Sequence, residues 1–371
     1  MNDLQPNPRA LAWASTMSGH GKRVVTAHSD TALGVGPLRE VTREVREDAL
    51  AAELAEGATM VRGAGNRAIP ETPDPHRTCF ERDRDRIVHS TPFRRLAGKT
   101  QAVVFPTDHQ RTRLTHALEV AQVATSVARG VGANVALADA IALGHDCGHG
   151  PGGHASEEAF DTFLPDGFDH GPWGADVELV HLNLCEETLD GIRNHSWSRP
   201  APATIEGEIC SWADRIAYCC HDLEDAIHAG VVTESDLPPI VTEVLGTTRR
   251  VQLGVLIRAL IKTTCQSGQV SMDADTAAGL AALRRFNYER IYTRQESLEQ
   301  SYAVIRLLRS LVSFYIDNPS TVPQEFRNIQ EPVWGAVSYA AGMTDRFAFD
   351  QAERLLGWDK ASLPKGIGYG A

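Results

Sequence analysis

Gly144-His145-Asp146-Cys147-Gly148-His149-Gly150-Pro151-Gly152-Gly153-His154 is the stretch that decides the fold. The segment before it, 134–144, is mostly apolar, with Val135, Ala136, Leu137, Ala140, Ile141 and Leu143. That pattern predicts a buried helix ending at the His145-Asp146 pair, and the glycines at 148–153 stop it. A carboxylate buried beside an imidazole is costly unless it has a partner. Working outward, His116 lies 29 residues before His145, and Asp214 lies 68 residues after Asp146. The four make an H…HD…D pattern of metal-ligand residue types. Imidazoles and carboxylates suit a divalent ion such as Mg, Mn, Fe or Zn. Such an ion can polarise a phosphoryl oxygen and lower the pKa of a bound water, so the pattern points to metal-assisted phosphoester hydrolysis. Any one of these residues alone is more often a packed side chain than a ligand. The adjacent pair at the end of an apolar helix carries the weight.

The surrounding pattern is helical. Leu114, Ala117, Val120, Ala121, Ala124, Val127 and Ala128 recur at spacings of three and four, one apolar helix face. Further helices are expected over 154–164, 177–194, 204–229, 253–264, 277–292, 298–316, 333–343 and 345–356. Strand signals are scarce, the best being Val103 to Phe105, stopped by Pro106. The fold class is therefore all-α: a helical bundle forming a single large domain over 76–371. Residues 1–75, rich in Gly, Ser, Thr and Pro, are expected to be a partly disordered extension with one charged helix over 37–56.

Composition narrows the function. The chain has 371 residues and a formal net charge of −12, which disfavours coating nucleic acid or an anionic membrane. No segment is apolar enough to span a bilayer, and the start lacks a signal-peptide pattern. Seven cysteines without a CxxC motif suggest reduced thiols in a cytoplasmic protein. An acidic protein with an anionic substrate must gather its cations in one place. The run Phe93-Arg94-Arg95-Leu96-Ala97-Gly98-Lys99-Thr100-Gln101, followed by Arg111 and Arg113, is the candidate. Arg113 precedes His116 by one helical turn.

Two more constellations carry chemistry. His154 and Glu157 stand at i and i+3, so their side chains can meet. A carboxylate touching an imidazole raises its pKa and fixes its tautomer, which suits proton donation to a leaving oxygen. The competing reading makes Glu157 an ordinary first-turn acid. Asp214, Tyr218 and Asp222 form one stripe at i, i+4 and i+8, with Arg215 beside it. Such a row could grip phosphates at one end and a sugar hydroxyl at the other. The competing reading is a solvated polar face.

Taken with Asp83-Arg84-Asp85-Arg86-Ile87, Leu283-Arg284-Arg285-Phe286 to Tyr292 and Ala341-Gly342-Met343-Thr344-Asp345-Arg346, these strings resemble the HD-domain superfamily. Within it they resemble the deoxynucleoside triphosphate triphosphohydrolases. The resemblance spans about residues 83–347 and implies a set of roles. His116, His145, Asp146 and Asp214 would hold one metal ion. His154, supported by Glu157, would act at the α-phosphate, with His149 close by. Arg113, Arg215, Tyr218, Arg284 and Tyr292 would line the triphosphate. Gln101 and Asp222 would read the sugar 3′-hydroxyl, and Tyr218 would crowd out a 2′-hydroxyl. It also implies a deoxynucleoside and intact triphosphate as products, a homo-oligomer with a hexamer favoured, and a regulatory nucleotide at an interface. Arg215 stands where some relatives carry Lys, and the chain is short beside the best-known dGTPases. Two alternatives remain from sequence. One is a different HD phosphohydrolase, for nucleoside monophosphates or alarmones. The other is a catalytically silent protein that binds deoxynucleotides or single-stranded nucleic acid.

Overall fold

The computed structural model describes residues 7–31, 34, 36–102, 110–327, 329 and 331–364. Among them are seventeen α-helices and no β-strand, apart from isolated bridges such as Arg67–Cys185. The expected strand at Val103 to Phe105 lies outside the described residues.

The chain divides into two compact units, Met1–Val41 and Thr42–Ala371. The small unit holds α1 (Pro8–Ser15), capped where Asn7 Oδ1 accepts from Ala10 N at 2.8 Å. The edge of the large unit does not coincide with the boundary expected at residue 75. Residues 42–75 fold with the domain that follows, and α2 (Arg43–Glu53) replaces the longer helix expected over 37–56. Cross-links explain this: Arg67 donates to the buried Asp83 at 2.6 Å, and Arg86 donates to Glu71 at 2.6 Å.

The large unit continues with α3 (Cys79–Val88), α4 (Thr91–Arg95), α5 (Arg113–Val131) and α6 (Val135–Gly144). Next come α7 (His154–Asp161), α8 (His170–Trp173), α9 (Glu186–Arg193) and α10 (Ile205–His228). The remainder are α11 (Pro239–Val244), α12 (Arg249–Ser267), α13 (Ala274–Asn287), α14 (Gln295–Asp317), α15 (Gln324–Arg327), α16 (Pro332–Ala341) and α17 (Asp345–Leu356). Helix α6 packs against α3, α5 and α10, which is why its sequence is apolar on nearly every side. One core gathers around these helices with α9, α12 and α13. A second gathers between α7, α14, α16 and α17.

The single helix expected over 177–194 is broken. A π-helical turn (Gly174–Glu178) and a 3₁₀ turn (Val180–Leu182) precede Asn183, which takes φ 51°, and α9 starts only at Glu186. Asn183 is held in that conformation. Its carbonyl accepts from Arg67 and Arg86, and its amide pairs with both backbone groups of Ile69. Among the described residues no helix is long and apolar enough to cross a membrane.

Candidate active site

Three helices deliver the ligand-type residues to one place. Helix α5 carries Arg113 and His116 in its first turn, α6 ends at His145-Asp146, and α10 carries Asp214 in its middle. His116 Nε2 lies 3.0 Å from Asp214 Oδ1 and 4.0 Å from Asp146 Oδ2. His145 Nε2 lies 3.7 Å from Asp214 Oδ1 and 3.5 Å from Asp146 Oδ1. His145 Nδ1 is 2.7 Å from the Ala142 carbonyl oxygen, so that nitrogen carries the hydrogen. The Nε2 lone pair is left buried and without a hydrogen-bond partner, facing the carboxylates.

That orphaned nitrogen is what a divalent cation would satisfy, and the N/O donor set fits one. His116, His145 and Asp214 present donor atoms within 4.8 Å of one another, with Asp146 beside them. Electrostatics agree. Burial opposes the charge on Asp214 and Asp146, but the histidines around Asp214, and Arg113 beside Asp146, hold both carboxyls well below the usual range. Burial likewise opposes protonation of His116, and Asp214 and Asp146 overcome it and carry its pKa upward. The cluster thus has an excess of negative charge that a proton or a metal ion can balance.

The glycine run builds the next layer. A Cβ on Gly148 would come within 2.0 Å of the His170 carbonyl oxygen, so only glycine allows the loop to lie against α8. The closeness stacks His149 on His170, with centroids 3.7 Å apart. His149 Nε2 is 3.2 Å from Asp146 Oδ1. Gly152 and Gly153 take φ of +75° and +64°, turning the chain into α7. His154, 73% exposed, opens that helix 3.4 Å from Glu157. The i, i+3 pair expected from sequence is therefore formed.

Two further residues belong here that no sequence pattern singles out, His170 and His195. His170 Nδ1 donates to Glu157, and its Nε2 is 3.1 Å from His195 Nε2. His195 Nδ1 donates to the Ile192 carbonyl at 2.7 Å. Its Nε2 must therefore accept, which leaves His170 donating from both nitrogens as an imidazolium. Burial opposes that charge, and Glu157 restores it; His195, buried beside His170, is pushed down to about 3.

A cleft of about 450 Å³ connects these layers. Gln101, Arg113, His116, Asp146, His149, His154, Asp214, Arg215, Tyr218, Asp222, Arg284 and Tyr292 all line it, so the site residues named from sequence converge there. His145 and Glu157 stand just behind, through the contacts described above. Arg113 donates to Asp146 at 2.8 Å. Tyr218 Oη accepts from Arg284 Nε at 2.8 Å, and Tyr292 Oη donates to Asp222. Burial raises the Asp222 carboxyl to about 6. Gln101 Oε1 is buried without a partner.

The basic run ahead of the site does not act as one patch. Lys99 is buried and donates to the carbonyls of His149 and Ala341, and Arg111 is consumed by Glu119, Glu224 and Asp225. Of the basic residues named in that stretch, only Arg113 lines the cleft.

The fold and the convergence of these residues define the HD-domain class. The HD domain matches residues 113–219, and a phosphohydrolase-associated domain matches 270–354, which supplies Arg284 and Tyr292. Three relatives are named deoxyguanosinetriphosphate triphosphohydrolase-like protein. The one from Caldanaerobacter subterraneus is 38% identical over 322 residues, covering 84% of this chain and 93% of that protein. One from Clostridium perfringens is 36% identical over 318 residues, covering 81% and 91%. One from Geobacter metallireducens is 33% identical over 365 residues, covering 82% and 95%. This chain belongs to that family of HD-domain phosphohydrolases.

Proposed function

We propose that the protein hydrolyses deoxynucleoside triphosphates to a deoxynucleoside and inorganic triphosphate. The observation that carries the reading is one cleft that joins His116, Asp146 and Asp214, with His145 just behind, to the guanidinium of Arg215, which pairs with no carboxylate among the described residues, and to the polar pair Asp222–Tyr292. His116, His145, Asp146 and Asp214 would hold a divalent ion, which when bound would supply charge neutralisation and lower the pKa of water.

The chain's own residues do the rest. Arg113, Arg215 and Arg284 grip the phosphates. His154, held by Glu157, delivers a proton to the departing 5′ oxygen, and His149 faces the same phosphate. Gln101 and Asp222 read the 3′-hydroxyl, and Tyr218 fills the space of a 2′-hydroxyl. Assembly as a homo-oligomer, hexameric by the family resemblance, with a regulatory nucleotide, belongs to the same reading.

The test is product analysis with each of the four dNTPs, singly and in pairs, with Mn present. Triphosphate must be released, and both chelation and Asp146→Ala must abolish release. Pyrophosphate with a nucleoside monophosphate would overturn the reaction assignment. Binding of dNTPs without turnover would make the protein a sensor instead.

A further inference from the structure

A second cavity of about 480 Å³ adjoins the cleft, between α10 and α13. Trp197, Arg215, Arg284 and Tyr288 line both spaces and so stand between them. The floor is apolar: Leu280 is only 2% exposed, with Ala277, Ala281 and the partly buried Trp212 around it. Arg285 stands at the rim.

The charge here is unusual for this chain. At a net charge of −12, many of its arginines are neutralised by carboxylates, as Arg67, Arg86, Arg111 and Arg113 are. Among the described residues Arg215, Arg284 and Arg285 pair with no carboxylate. Arg215 lies 3.4 Å from the centre of the Trp197 ring, its Nε is buried without a partner, and burial pulls its pKa down. Trp197 is itself fixed, edge-on to Trp212 and donating from Nε1 to the Ser211 carbonyl at 3.2 Å. Three guanidiniums without a carboxylate partner, in a cavity also lined by Trp197, Trp212 and Tyr288, are the complement of a phosphate chain joined to a nucleobase.

The position says what that ligand is. With the α-phosphate at the histidine–aspartate cluster and the distal phosphates on Arg215 and Arg284, the phosphate chain runs toward the shared wall. We propose that the second cavity takes the far nucleoside of a dinucleoside polyphosphate whose near deoxynucleoside sits in the cleft. This rests on the dNTP reading given above. The balance is that of hydrolysis. Water oxygen bonds to the near α-phosphorus, the bond from phosphorus to O5′ breaks, and O5′ takes a proton. A dinucleoside tetraphosphate then yields a deoxynucleoside and a deoxynucleoside 5′-tetraphosphate.

The experiment uses the di(2′-deoxyadenosine) and di(2′-deoxyguanosine) 5′,5′-tetraphosphates against dATP and dGTP on the full-length protein. Turnover is followed with Mn, and binding is measured by calorimetry on the metal-free protein, where no turnover intrudes. One stacked base is worth about 1–3 kcal/mol, so the dinucleotide should bind about tenfold tighter than the dNTP. Ala281→Trp, which fills the cavity from an exposed helix position, and Arg285→Glu should each remove that advantage. Both should leave dNTP binding and turnover within about twofold. Equal binding of dinucleotide and dNTP overturns the proposal even if dNTPs are good substrates, as does an advantage that survives both variants. If the advantage is present and sensitive to both variants while no dNTP is hydrolysed, the cavity assignment stands and the reading of the cleft falls.

Discussion

At the scale of single residues, His170 is the position whose role is most sharply defined by geometry. It donates to Glu157, and Glu157 in turn reaches His154. Replacing His170 leaves Glu157 free to leave His154, so His170→Ala should lower kcat for triphosphate release by about 10- to 100-fold. Because both residues act through His154, His170→Ala combined with Glu157→Gln should cost little more than either alone. Steady-state turnover measured on all three variants decides it; additive losses would separate His170 from the proton donor. The metal-type quartet was legible in the sequence because an adjacent His-Asp pair closing an apolar helix is costly to bury without a cation to share. His170 and His195 were not legible. His170 opens the four-residue α8 and His195 lies just past the end of α9, and what marks them is burial of an ionisable ring, which only tertiary packing provides. Arg111 is the reverse case. Its charge is plain in the sequence, but the acids that neutralise it come from the second turn of α5 and from α10.

At the scale of elements, periodicity located most helices of the large unit, and α17 occupies the span expected for it. Periodicity says nothing about segments held by isolated ion pairs, so residues 42–75 were assigned to the extension. Glu71 is the clasp: it accepts from Arg86 and Arg82 and lies 3.2 Å from Arg67. The hydrogen bond from Arg86 is the main reason its carboxyl falls to about 2 from an ordinary 4.5. A depressed acid contributes stability above the unfolded-state pKa and loses it as the pH falls through the folded-state value. Glu71→Gln should therefore lower stability by about 1 kcal/mol at neutral pH, the partly exposed site being screened by solvent. The deficit should shrink as pH drops from about 4.5 toward 2. Urea midpoints of the two proteins across that range test it, and a deficit that stays constant would remove Glu71 as the clasp.

At the scale of the whole molecule, the candidate site draws on helices of both hydrophobic cores, α5, α6 and α10 from one and α7 from the other. Polar contacts add to apolar ones in tying the site loop to the second core. Asp345, at the start of α17, accepts from Gly152 N at 2.8 Å and from both Thr100 N and Thr100 Oγ. Lys99 reaches the carbonyls of His149 and Ala341 from the same strip of chain. Burial raises the Asp345 carboxyl, so the contacts are made at an electrostatic cost. A device of that kind serves position: Gly152 precedes His154 by two residues, and Thr100 adjoins Gln101. Asp345→Ala would strand two buried N–H groups, each worth about 1–3 kcal/mol when unsatisfied. The expected outcome is a loss of about 3 kcal/mol in stability and, on the proposed function, a fall in kcat larger than the change in KM, because the proposed proton donor moves while the arginines proposed to grip the phosphates stay. Asp345→Asn keeps one acceptor oxygen and should fall between the two. Chemical denaturation and steady-state kinetics on both variants check this together. A stable Asp345→Ala protein with unchanged kcat would mean that apolar packing alone seats α17, and that the second core contributes bulk and not alignment.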